Sequence, residues 1–233
     1  MKQRLKYLLG AAVGVLLITF LGVYILYSSY EEVFPNQENV NYHYGFYHED
    51  IEEDWSEVSV DSSSYSFKMS YRLSRATRTP FVAGYITIND NTKSLAKYQD
   101  HNAVRINLKS NVGMRIPIML TFDYKEGEKK KNGKPFPMLT LIKFIDYHEA
   151  GDYEIPLSEF RIPDWWYRVH RLHRDEVDIN KITNIRGVIV GSCGLLREKV
   201  RDIIEIKKIE FYTDNSALYL KALRLTSVLT LIV

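Results

Sequence analysis

Apolar and polar positions change period along this chain, and the changes mark out its parts. Residues 8–27, opening on Leu8 and closing on Tyr27, read LLGAAVGVLLITFLGVYILY without one charge. As a helix rising about 1.5 Å per residue, such a run matches the roughly 30 Å hydrocarbon core of a bilayer. From Tyr65 the period is two: Tyr65, Phe67, Met69, Tyr71 and Leu73 alternate with Ser66, Lys68, Ser70 and Arg72. That alternation predicts a half-buried strand. Residues 81–89 predict a strand that is mostly apolar on both faces. A polar connection follows over 90–102, with Leu95 and Tyr98 as its inward anchors. Val104, Ile106 and Leu108 then alternate, as do Ile116, Ile118, Leu120, Phe122 and Tyr124. Further strands are expected at 138–145, 153–155, 185–190 and 202–212. Gly151-Asp152 reads as a turn, and the lysine-rich 125–134 as an exposed connection containing Gly127 and Gly133.

No long amphipathic helix is expected between 31 and 216. Short strands separated by turn signals predict an all-β domain, an antiparallel β-sandwich that buries two apolar faces on each other. The sandwich follows an N-terminal transmembrane helix. Three parts result: 1–30, a cytoplasmic start and anchor; 31–216, an extracytoplasmic β-sandwich; and 217–233, ALYLKALRLTSVLTLIV. Only nine residues follow Arg224, so this last part reads as the truncated start of a second membrane segment, or as a tail docked at the membrane surface.

The charges around the anchor set its direction. Lys2, Arg4 and Lys6 precede the run, and Glu31 and Glu32 follow it. By the positive-inside tendency the N-terminus stays in the cytoplasm and the domain is exported across the inner membrane, to the periplasmic or extracellular side. Tyr24, Tyr27 and Tyr30 suit an interfacial aromatic belt. The competing reading is a cleaved signal peptide. Against it, the apolar run exceeds the usual core of about 7–15 residues, and 27–30 offers no small-x-small cleavage site. Gly10 and Gly14, with Gly22 further along the same face, form a small-residue stripe that suits a homodimer in lipid; glycine is also simply frequent in membrane helices.

Composition narrows the remaining chemistry. The net charge of +2 says little, but residues 31–67 hold ten acidic side chains and no Lys or Arg. Asp50, Glu52, Glu53 and Asp54 lack the spacing and the turn glycine of a calcium loop, so a solvated acidic surface is the better account, with a structural calcium left open. Basic residues gather in 125–134 and 161–174, without the aromatic interleaving of a nucleic-acid surface. Cys193 is the only cysteine, which excludes an intrachain disulfide; a thiol packed at a strand end fits it better than a nucleophile, because no elbow motif surrounds it.

The ligand candidates are Trp165, Trp166 and Tyr167, with Arg168 and His170 beside them and Arg171 and His173 following. Aromatic faces stack on the C–H faces of sugars, and the flanking groups can hydrogen-bond hydroxyls or an acid. Neighbouring side chains point apart, so one tryptophan should be buried and the other more exposed; the alternative is that the pair plugs an open edge of the sandwich. His170 and His173 have suitable spacing for two metal ligands, but no third ligand is evident. No phosphate loop, metalloprotease helix or catalytic constellation is present, and the reading is a non-enzyme without cofactor or metal.

The order of features carries a resemblance. It runs from Leu95-Ala96-Lys97-Tyr98 with Val104-Arg105-Ile106-Asn107-Leu108, through a strand at 153–160 and the tryptophan-containing crossing, to Ile182-Thr183-Asn184-Ile185 and a last strand at 206–211. Over residues 40–213 this resembles the galactose-binding-like jelly rolls, especially family 11 carbohydrate-binding modules and the complex I intermediate-associated proteins. The resemblance implies a jelly-roll sandwich and a carbohydrate ligand, as in exported sensor regions of bacterial membrane signalling proteins. The alternatives are a glycan-binding module without signalling, or an assembly or structural protein of the cell envelope.

Overall fold

The computed structural model describes residues 3–4, 6–7, 10, 13–14, 16–17, 20–22, 30–34, 42–48, 56–62, 66–73, 81–88, 94–112, 114–125, 136–192 and 200–214. Among the described residues the strands are β1 (Tyr30–Phe34), β2 (Tyr42–His48), β3 (Glu57–Ser62), β4 (Phe67–Arg72), β5 (Val82–Ile88), β6 (Ala96–Lys97), β7 (Ala103–Ser110), β8 (Arg115–Tyr124), β9 (Leu139–Asp146), β10 (Gly151–Pro156), β11 (Ile182–Gly191) and β12 (Arg201–Tyr212). One helix, α1 (Asp164–His170), lies in the crossing between β10 and β11.

The strands form two antiparallel sheets. The first runs β10-β7-β12-β4-β3, with β1 also paired to β12; the second runs β2-β5-β11-β8-β9, with β6 also paired to β11. Alternation along each strand decides which side chains meet between the sheets. From the first sheet come Phe67, Met69, Tyr71, Val104, Ile106, Leu108, Ile204, Ile206, Ile209 and Phe211; from the second come Val82, Ile86, Ile116, Ile118, Leu120, Phe122, Val188 and Val190, all buried. This is the all-β sandwich that the period of two predicts.

The structure adds detail the pattern did not hold. The acidic stretch 31–64 contributes most of β1 and all of β2 and β3. The strand expected at 153–160 stops at Pro156, because Leu157–Glu159 turn into a 3₁₀ helix. Leu95 is buried and Tyr98 stands edge-on to Phe122, 5.3 Å between ring centroids. Among the described residues no helix is long and apolar enough to cross a membrane; the anchor run 8–27 is described at only some of its positions, and 217–233, Cys193 and residues 50–54 lie outside the described residues.

One buried acid ties the first sheet to a turn. Asp202 is fully buried on β12. Its Oδ1 accepts from the backbone N–H groups of Asn111, Val112 and Ile203, and its Oδ2 accepts from the Tyr71 hydroxyl at 2.9 Å. The Ser110 hydroxyl reaches both oxygens. A carboxylate in water-free surroundings persists only when its lone pairs are filled in this way. Here the filling also closes the turn between β7 and β8.

Candidate functional site

The sandwich presents two outer faces of different chemistry. That of the first sheet is charged: Arg105 on β7 bonds Glu154 on β10 at 2.7 Å and Glu210 on β12 at 3.0 Å, and Lys208 reaches both Glu210 and Glu32. Asn107 donates to Asp152 at 2.6 Å. Opposite charges meet across four strands, which is what a solvated structural face requires.

The outer face of the second sheet is almost uncharged. By strand alternation it is made of His43, Gly45 and Tyr47 on β2; Tyr85 and Thr87 on β5; Gly187 and Ile189 on β11; Pro117, Met119 and Thr121 on β8; and Ile142 and Phe144 on β9. Tyr85 lies 4.7 Å from Tyr47 and 5.8 Å from His43 between ring centroids. Tyr47 is 51% exposed and Phe144 42%. Gly45 is what lets the Tyr85 ring lie flat: a Cβ there would fall 2.1 Å from the phenol oxygen. Gly187 does the same in mid-sheet, where a Cβ would meet Thr87 and Thr121 at under 3 Å. The result is a shelf of aromatic rings and threonines laid over glycine backbone.

Charges stand at the margins of this shelf. Asp123 is held by Arg186 at 2.6 Å and by Asn184 at 3.3 Å, while the Arg115 guanidinium sits 4.8 Å over the Phe144 ring. Burial, and then the nearby Tyr85, raise the Tyr47 phenol above its ordinary pKa. Like any phenol at neutral pH, its hydroxyl is a neutral donor on an exposed ring.

The five residues singled out from the sequence are brought onto α1 and then divided by it. Trp166 is buried at 1% exposure, donates from Nε1 to the Met138 carbonyl at 3.0 Å, and packs on Phe136, Tyr167 and His170. Trp165 is 42% exposed, Arg168 is exposed, and Tyr167 and His170 are half-buried. The helix ends because Arg171 takes a left-handed conformation, φ 53°, returning Leu172 to the core. Arg161 bridges to Ile142, so the crossing covers the free edge of β9. Trp166 thus belongs to the packing of the crossing, and Trp165 and Arg168 to its surface.

A cavity of about 780 Å³ opens at one end of the sandwich, lined by Tyr98, His101, Asn102, Leu157, Ile179, Tyr212 and Asp214 among others. His101 and Asn102 in its wall contact Glu31 and Asp214. Among the described residues no three His, Cys, Asp or Glu side chains are grouped to hold a metal ion.

Sequence reasoning placed the aromatic candidates on the crossing and missed the shelf. Its signal was present in outline, as Tyr85 on a strand apolar on both faces and His43, Gly45 and Tyr47 on a strand of their own. What the sequence did not show is that β2 and β5 are neighbours.

No protein-family model and no curated protein matches the sequence. Solved structures do. The chain is similar to the family 11 carbohydrate-binding module from Clostridium thermocellum in complex with a β-1,3-1,4-mixed-linked tetrasaccharide, at 12% identity and a TM-score of 0.47, over 78% of this chain and 94% of that one. It is similar to the family 11 module of the cellulosomal cellulase Lic26A-Cel5E of the same organism, at 14% identity and a TM-score of 0.47, over 79% and 93%. A family 12 xyloglucanase from Bacillus licheniformis also matches, at 8% identity and a TM-score of 0.38, over 80% and 98%. The group named first is the one the sequence resembles. Likenesses at these identities carry no ligand, reaction or residue role over to this chain.

Proposed function

We propose that this protein is a membrane-tethered, extracytoplasmic carbohydrate-binding domain whose ligand lies on the outer face of the second sheet. The observation that carries the reading is the shelf itself. The exposed ring of Tyr47, the half-buried ring of Tyr85 lying over Gly45, and the threonine side chains over Gly187 match the alternating C–H faces and hydroxyl edges of a sugar. Asp123 with Arg186 at the margin supplies a charged hydrogen-bonding pair for the end of a ligand. Among the described residues two carboxylates stand at the margins of the shelf, Asp123 bonded to Arg186 and Asn184 and Asp146 paired with Arg115 at 3.8 Å, and they lie toward opposite ends of β8 instead of flanking one point. Glycoside hydrolysis ordinarily uses two carboxyl groups flanking the scissile bond, so the arrangement supports binding without cleavage.

Tethering rests on the uncharged run 8–27, and the basic residues before it support an orientation with the domain outside the inner membrane. Coupling of ligand to a signalling partner through the membrane, and pairing of anchors along Gly10 and Gly14, belong to the same reading.

The test is affinity electrophoresis of the detergent-solubilised chain through gels containing soluble β-glucans, xylans or galactans. Stacking on one ring is worth about 1–1.5 kcal/mol, so Tyr47→Ala and Tyr85→Ala should each weaken binding roughly tenfold, at 1.4 kcal/mol per decade. Trp165→Ala should leave it unchanged. If the tyrosine variants fold and bind as the parent does while Trp165→Ala loses retention, the ligand sits on the crossing and not on the shelf.

A further inference from the structure

The chain enters and leaves the sandwich at one end. Tyr30, the first residue of β1, is in register with Tyr212, the last residue of β12. Both connections are fixed to the same corner. Asn102 donates to the Asp214 carbonyl at 2.9 Å and accepts from its N–H at 2.6 Å, and the neighbouring His101 ring lies 3.3 Å from the Glu31 carboxylate. If the run 8–27 spans the bilayer, as proposed above, Tyr30 follows its last residue by three positions. At no more than about 3.6 Å per residue, the start of β1 then lies within about 11 Å of the end of that run. This end of the domain is therefore held at the lipid interface.

The crossing lies at the same end. The Trp166 indole bonds the carbonyl of Met138, just ahead of β9, and the Asp178 N–H bonds the hydroxyl of Tyr124, the last residue of β8. Ile179 shares the end cavity with Tyr212 and Asp214. On α1, Trp165 and Val169 are four residues apart and so share a face. They are exposed, as are Met138 and Ile179, with Val169 the most open at 68%. Arg168 and Arg171 are exposed beside them and form no ion pair among the described residues. Tryptophan and aliphatic side chains beside arginine are the composition of a membrane–water boundary, where the ring sits among headgroups and guanidinium meets phosphate. The crossing also carries exposed acids, Asp164 paired with Arg174 at 2.6 Å and Asp175, Glu176 and Asp178 beyond the end of α1; Arg168 and Arg171 are the groups suited to the phosphates of an anionic lipid surface.

We infer that this end of the sandwich rests on the bilayer, with Trp165 and Val169 at the headgroup boundary and Arg168 and Arg171 on lipid phosphates. The inference rests on the anchor reading and reassigns the exposed part of the crossing from sugar to lipid. It orients the domain so that the crossing and the end cavity face the membrane and the turn between β7 and β8 points away.

The test uses the full chain in nanodiscs of phosphatidylcholine and phosphatidylglycerol, with an environment-sensitive fluorophore on Val169→Cys or Val112→Cys in a Cys193→Ser background. Val112 is also exposed, at 41%, but lies in the turn at the opposite end. A headgroup nitroxide lipid should quench the label at 169 several-fold more than the label at 112. The Arg168→Gln, Arg171→Gln pair should cut quenching at 169 and abolish its dependence on phosphatidylglycerol. Equal quenching at the two positions overturns the inference. Failure of the anchor is read separately, as a chain that stays soluble and is extracted by alkaline carbonate. Such a chain is added to vesicles of the same lipids, where quenching at 169 supports surface docking alone and its absence rejects it.

Discussion

Asp202 offers the sharpest test of how the sandwich is held together. Replacing it with alanine removes the acceptor for the N–H groups of Asn111, Val112 and Ile203 and for the Tyr71 and Ser110 hydroxyls. The two hydroxyls can turn toward other partners, but the three amides are fixed by the backbone. Each donor left unsatisfied costs about 1–3 kcal/mol, so Asp202→Ala should cost roughly 3–9 kcal/mol, a large part of the 5–15 kcal/mol that stabilises an ordinary domain. Asp202→Asn keeps an oxygen toward the amides and turns an NH₂ toward two hydroxyls, which can accept; its cost should be about 1 kcal/mol. Chemical denaturation followed by tryptophan fluorescence measures both, and hydrogen exchange at Asn111 and Val112 should become fast only in the alanine variant. The reasoning fails if asparagine is as damaging as alanine, or if alanine costs less than about 1 kcal/mol.

Two further outcomes separate structure from surface. Trp166→Ala should cost about 3–5 kcal/mol because it empties a buried site and strands the Met138 carbonyl, whereas Trp165→Ala should leave the melting temperature nearly unchanged; thermal unfolding of the pair decides. Burial, then the charge and hydrogen bond of Glu154, hold the Tyr212 phenol up to about 12 against an ordinary 10.0. Below pH 10 folded and unfolded chains are both protonated there. Between 10 and 12 only the unfolded chain releases the proton, so stability falls as pH rises through that window, and Tyr212→Phe should make the alkaline decline in melting temperature shallower.

How much of this was legible in the residues follows from what alternation encodes. Phe67-Lys68-Met69-Ser70-Tyr71 tells which side chains face inward, and the core confirms each. Alternation says nothing of which strand lies beside which. Tyr71, Ser110 and Asp202 are each unremarkable on their own strands and meet only because β12 lies between β4 and β7. The shelf was hidden for the same reason, since Gly45 clears space for Tyr85, forty residues away on the neighbouring strand. In the crossing, Trp165 and Trp166 were visible as a pair, and their division needed only the rule that adjacent side chains point apart. What drew the second tryptophan inward was the Met138 carbonyl and the Phe136 ring, supplied by the approach to β9.

The two outer faces make a last, discriminating case. On the first sheet, Arg105 is the one guanidinium between Glu154 and the buried Glu210, with Tyr212 beneath it at 4.9 Å. Its loss leaves Glu210 with Lys208 as its remaining cation among the described ion pairs. Breaking a buried pair outright costs about 3–5 kcal/mol; with Lys208 retained, Arg105→Ala should cost about half that. Because this face is opposite to the shelf, retention on polysaccharide gels should be unaltered at temperatures where the variant is folded. A second substitution, Glu210→Gln, should recover part of the stability by removing the charge that Arg105 neutralised. If Arg105→Ala instead abolishes retention while the melting temperature holds, the charged face binds the glycan and the aromatic shelf does not.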